Sequence, residues 1–233
     1  MLPILGLGFV IGLQHALEAD HLAAVASIAS RHSRPGDIVR HGLTWGLGHT
    51  LTLFLLAGAA FLLGSAIPDS LAQKLEFAVG AMLFLLGAQV LWRVRRDKLH
   101  VHLHQHAGED AAPHLHVHSH AREEASHARS PHQHEHRGFR WRTLLVGVMH
   151  GMAGSAALLL LAMAQVKDPL RGLAYILVFG LGSMVGMGLV SAVLAVPLAF
   201  SARFLTWANR GLQVGIGVCT ASLGAVTMLT HWK

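Results

Sequence analysis

The chain has 233 residues, 53% of them hydrophobic and only 13% Asp, Glu, Lys or Arg, with a formal net charge of +6. A soluble domain carries roughly 25% charged residues, so a mean hydropathy of +0.49 excludes an ordinary soluble enzyme and a disordered tail. The basic residues fall between apolar runs and not along one polar face, which excludes a nucleic-acid partner and leaves the lipid bilayer as the expected one.

Crossing a hydrocarbon core of about 30 Å takes roughly 20 apolar residues in a helix. Runs of that kind lie at 3–29, 42–64, 72–92, 143–166, 172–198 and 205–230, so six transmembrane helices of an all-α integral membrane protein are expected. The first run carries His15, Glu18, Asp20 and His21 and no basic leader, and is read as a retained span. Ionisable groups inside a span cost at least about 2.5 kcal/mol each on insertion scales, so they default to functional sites with partners. At about 100° per residue, His15, Glu18 and His21 form one stripe while Asp20 points elsewhere. Either the helix is unwound here, or Asp20 acts from behind the ligands or in another state. His49 in the second run and His150 in the fourth add two imidazoles. Together His15, Asp20, His21, His49, His150 and Glu18 are the expected metal residues. Imidazole with carboxylate suits Ni²⁺, Co²⁺, Zn²⁺ or Fe²⁺ better than the hard cations that prefer all-oxygen sites.

Between the third and fourth runs, residues 100–136 hold twelve histidines, many alternating: His100, His102, His104, His106, His114, His116, His118, His120, His127, His132, His134 and His136. Such tracts bind borderline metals through neutral imidazoles. The i, i+2 spacing suits an extended or disordered chain, and the segment is expected to be a disordered metal-binding loop. The single Cys219 lies in an apolar run and offers no disulfide framework. Motif H-E-x-x-H is absent and no separate nucleophile stands out, so neither an enzyme nor a resident cofactor is expected.

Fourteen of the eighteen Lys and Arg residues fall on one side: Arg31, Arg34 and Arg40, nine from Arg93 to Arg142, then Arg203 and Arg210. Positive charge stays inside. The histidine loop is therefore expected in the cytoplasm and both termini outside. Self-comparison adds an internal repeat. Gly12-Leu13-Gln14-His15 recurs as Gly147-Val148-Met149-His150 at an offset of 135, and Gly46-Leu47-Gly48-His49 as Gly180-Leu181-Gly182-Ser183 at 134. Gly80 and Gly87 match Gly217 and Gly224 at 137. A three-span unit must re-enter the membrane reversed, which is the 3+3 inverted repeat of many secondary transporters. The expected divisions are residues 1–92 and 142–233 as the repeats, with 93–141 as the loop.

His15-Ala16-Leu17-Glu18-Ala19-Asp20-His21 resembles the signature motif (usually HAxDADH) of the nickel/cobalt transporter family. Gly48-His49-Thr50 and His150-Gly151-Met152-Ala153-Gly154-Ser155 resemble that family's further motifs in its shorter bacterial members. Glu18 stands where the family usually has Asp. The fifth run lacks the carboxylate motif of longer members, and six spans replace the usual eight. The resemblance implies a permease for Ni²⁺ or Co²⁺ in the bacterial inner membrane, with His15, Asp20 and His21 in metal selection. Zn²⁺ is a further candidate ion, and a cytoplasmic metallochaperone a candidate partner. Import is the expected direction. Efflux, or a membrane-anchored sensor or chaperone whose active part is the loop, are the alternatives.

Overall fold

The computed structural model describes residues 2–32, 34–64, 68–96, 100–104, 114–118, 140–153, 168–204 and 206–232. Seven helices lie among them: α1 Leu2–His15, α2 Ala19–Ala29, α3 Pro35–Leu62, α4 Asp69–Arg96, α5 Trp141–Ala153, α6 Pro169–Phe204 and α7 Thr206–Thr230. Helices α3, α4, α6 and α7 are long and apolar enough to cross a membrane, whereas α1 and α2 are shorter apolar helices. The fourth expected span continues beyond α5 into 154–166, outside the described residues.

The first expected span is not one helix. It stops at His15 and restarts at Ala19, with Glu18 in extended backbone (φ −62°, ψ 149°). Ala16, Leu17 and Glu18 are good helix formers, so intrinsic propensity does not cause the break. The side chains of His15, Glu18, Asp20 and His21 all make bonds across or beside it, and tertiary context overrides local preference. Helix α3 opens with Pro35 in its first turn, where the missing N–H costs nothing, and with Asp37 facing the positive end of the helix dipole. Helix α4 closes on Arg93, Arg95 and Arg96, which suit its negative end.

Packing pairs α1 with α6, α3 with both α5 and α6, and α4 with α7. Small residues set these distances. A Cβ on Gly12 would collide with the Phe179 carbonyl of α6, and one on Gly147 with the Trp45 carbonyl of α3. Without hydrophobic drive in lipid, such close backbone approach is the main source of helix association. The buried core gathers Trp45, Leu83, Met187 and Val25 in one cluster and Leu53, Tyr175 and Ile176 in another. Polar stitches cross the bundle: Ser27 Oγ donates to Thr220 Oγ1 at 2.9 Å and Thr50 Oγ1 to the Gly180 carbonyl at 2.7 Å. Large apolar side chains such as Leu55, Leu85, Leu189, Val193 and Val196 face outward.

The histidine segment departs from the disordered loop expected of it. His100–His104 and His114–His118 form β1 and β2, paired antiparallel with His100 opposite His118, His102 opposite His116 and His104 opposite His114. The reason is periodicity. Histidine alternates in sequence with Val101, Leu103, Leu115 and Val117, and a period of two is the period of a strand. His106, His120, His127, His132, His134 and His136 lie outside the described residues.

Candidate metal centre

Four imidazoles from four helices meet at the α1–α2 break. His15 ends α1, His21 lies in the first turn of α2, His49 is mid-way along α3 and His150 is near the end of α5. Ring centroids are 4.3 Å apart for His15–His21 and His21–His150, 5.0 Å for His21–His49 and 5.4 Å for His15–His49. His21, His49 and His150 are at most 1% exposed. The break makes this possible, because it turns α2 so that His21 and Asp20 rejoin His15. Both alternatives left open by the sequence are met: the helix is interrupted, and Asp20 bonds to imidazole rings.

The two carboxylates orient the rings. Asp20 uses one oxygen for His21 Nδ1 (2.9 Å) and the His21 backbone N–H (2.9 Å), and the other for His150 Nε2 (2.9 Å). Glu18 Oε1 accepts from His15 Nδ1 at 2.8 Å. A carboxylate that takes one ring proton fixes the tautomer and leaves the opposite nitrogen with its lone pair, which is how proteins prepare histidine for metals. The opposite nitrogens are indeed bare. His15 Nε2, His21 Nε2, His150 Nδ1 and both nitrogens of His49 are buried with no hydrogen-bond partner. A buried unpaired ring nitrogen costs about 1–3 kcal/mol, and five at one place are hard to explain as packing.

Donor atoms of His15, His21 and His49 lie within 4.8 Å of one another, as do those of Asp20, His21 and His150. The second trio is already bonded within itself, while the first presents free nitrogens. An ion therefore finds better-prepared donors at His15, His21 and His49, with Asp20 behind His21. Glu18 belongs to neither trio. Its side chain is 57% exposed and its contact is with His15.

Sequence reasoning missed the walls. Trp45, fully buried, packs its ring 5.5 Å from His21, 5.3 Å from His150 and 6.2 Å from His49. Phe179 lies 5.3 Å from His15. Trp45 precedes His49 by one helical turn and so shares its face, a signal that was present in the sequence. Ser183, fully buried with an unpartnered hydroxyl, had been noted only as the repeat counterpart of His49.

Residues 1–228 match the NicO family, described as high-affinity nickel-transport protein. The chain belongs to that family. Over 215 residues it is 32% identical to the urease accessory protein UreH of Bacillus sp. (strain TB-90), covering 92% of this chain and 86% of that one. Over 118 residues it is 30% identical to the hydrogenase nickel incorporation protein HupN of Bradyrhizobium diazoefficiens, covering 45% of this chain and 31% of the relative. A chloroplast protein for growth and fertility from Arabidopsis thaliana is 22% identical over 220 residues, 91% of this chain and 56% of that protein. No solved structure matches. This NicO chain is thus a membrane protein of a nickel-transport family, and the nickel/cobalt resemblance carried by the motif of the first span agrees with the match along the chain.

Proposed function

We propose that this NicO chain imports Ni²⁺, with Co²⁺ as a second substrate, across the bacterial inner membrane through the centre formed by His15, His21, His49, His150 and Asp20. The observation that carries the proposal is the set of five unpartnered buried imidazole nitrogens at a break in a membrane helix. Broken helices near the midplane, where repeats meet, are where secondary transporters hold their substrates. The ion sheds part of its hydration, is taken by His15 Nε2, His21 Nε2 and His49, and passes toward His150 as Asp20 reorients. Zn²⁺ fits the same donors, so preference among these ions rests on geometry and supply. HupN serves nickel incorporation into an enzyme. Such incorporation consumes nickel where the enzyme is made, which favours import.

The chain works as a 3+3 inverted repeat of six spans, with both termini outside and the histidine segment in the cytoplasm. Repeat-related contacts support this reading. Gly12 abuts Phe179 and Ser183 across α1 and α6, and Gly147 abuts Trp45 and His49 across α5 and α3, with all three pairs offset by 134 or 135. Gly87 against Ala221 is mirrored by Gly224 against Phe84. Exposed Trp92, Trp141 and Trp207 sit at the helix ends that also carry the basic residues, as interfacial anchors do. Rocking of the halves about the centre then alternates access. The paired strands, with three histidines each, lie on this reading where ions leave, as a reservoir from which a metallochaperone draws. They also favour a second reading, a sensor or chaperone whose active part is this segment. Replacing the twelve loop histidines by serine separates the two. On the import reading, flux in vesicles persists; flux lost there but retained in His21→Ala would establish the second.

A further inference from the structure

A second histidine cluster lies nearer the N-terminal end of α3. His32, in the turn after α2, stacks on His41 of α3 with ring centroids 4.1 Å apart and planes 20° apart. His41 Nδ1 and Thr143 Oγ1, at the start of α5, are 2.7 Å apart. Donation from Nδ1–H to that hydroxyl leaves the lone pair on His41 Nε2. Asp37 stands beside them and binds Arg140 at 3.2 Å and Arg40 at 3.7 Å. The His32, Asp37 and His41 side chains are all half-buried.

The cluster repeats the centre one level along the same elements. His41, Trp45 and His49 share a face of α3 at i, i+4 and i+8, so His41 is about 12 Å from His49 along the axis. Thr143 and His150 share a face of α5 at i and i+7, about 10.5 Å apart. His32 follows α2 as His21 begins it. Between the levels lies fully buried Trp45, and the space beneath it, lined by Val25, Ile28, Ile38 and Ser191, is too tight to admit a water molecule.

Resting on the transport reading above, we propose that His32 and His41 form a second divalent-metal site at the cytoplasmic mouth, between the buried centre and the histidine segment. Asp37 is its counter-charge, held at rest by Arg140. An ion arriving there competes with Arg140 for Asp37. Arg140 lies four residues past His136, the last histidine of that segment.

Ni²⁺ binding to the full-length protein by equilibrium dialysis tests this, in a background with the twelve histidines of 100–136 replaced by serine. The background should bind two ions per chain. His32→Gln or His41→Gln should lose one of them and His21→Ala the other. Arg140→Gln should tighten the mouth site about five-fold, the size expected of one screened unit charge removed at close range, a gain that misfolding cannot produce. A background that binds one ion, lost in His21→Ala, would overturn the proposal, as would full binding by the glutamine variants or unchanged affinity in Arg140→Gln. Flux surviving in His21→Ala would overturn the transport reading instead, and leaves mouth binding measurable on its own.

Discussion

His15, His21, His49 and His150 are few and converge, three of them buried and His15 partly so, whereas the histidines of residues 100–136 are many and alternate along paired strands or lie outside the described residues. In the centre three of the four rings have a carboxylate partner. Asp20 serves two imidazoles and Glu18 one, and glycine contacts let the helices close around them. The strand histidines are placed by register alone, as three cross-strand partners. The contrast teaches that one ligand type can serve two tasks. On the proposed reading, the rings at the helix break select and pass an ion, and the periodic array concentrates it.

The comparison breaks most sharply at the centre. Asp20→Asn keeps the volume but replaces one of the two acceptor oxygens by a donor, so His21 or His150 loses its anchor, and transport should fall by about 10–100-fold, the usual cost of an orienting partner. Initial uptake rates at matched protein in vesicles would check it. Gly147→Leu forces α5 away from the Trp45 carbonyl of α3 and shifts His150 with it. Overpacking of this kind costs at least about 1–3 kcal/mol, and a lowered melting temperature in detergent, with lost uptake, is the expected outcome. Glu18→Gln should act more mildly, about three- to ten-fold on apparent affinity, because an amide oxygen still accepts from His15 and the group is largely exposed. Serine at the twelve loop histidines should change initial uptake by less than about two-fold while removing most low-affinity Ni²⁺ binding. Binding by that array should weaken as pH falls below about 6.5, where exposed imidazoles take up protons. Isothermal titration at pH 7.5 and 5.5 would read both effects.

Much of the site was legible because the bilayer makes ionisable residues conspicuous. His15, Asp20, His21, His49 and His150 stand out against apolar neighbours and all converge in the structure. The conflict between helical geometry and the placing of Asp20 offered the break as one of two alternatives, and did not show that Asp20 would bridge His21 to His150. That bridge depends on α5 packing against α3, a long-range arrangement no local pattern encodes. Trp45 was overlooked since an aromatic in a span is ordinarily lipid-facing or core, and only the fold sets it against three imidazoles. In the histidine segment, attention to the ligands hid the strand period carried by Val101, Leu103, Leu115 and Val117. Four helices long enough to span were evident as apolar runs, whereas the first run is two shorter helices that meet at the histidine cluster.

The most direct measurement is radiolabelled Ni²⁺ flux into oriented proteoliposomes for the unaltered protein and for His21→Ala, which keeps the helices but removes the imidazole shared by both donor trios. The account predicts saturable movement toward the side that holds the histidine segment, falling by about 100-fold or more in the variant. Equal flux in the two proteins, with correct insertion of both, would contradict it.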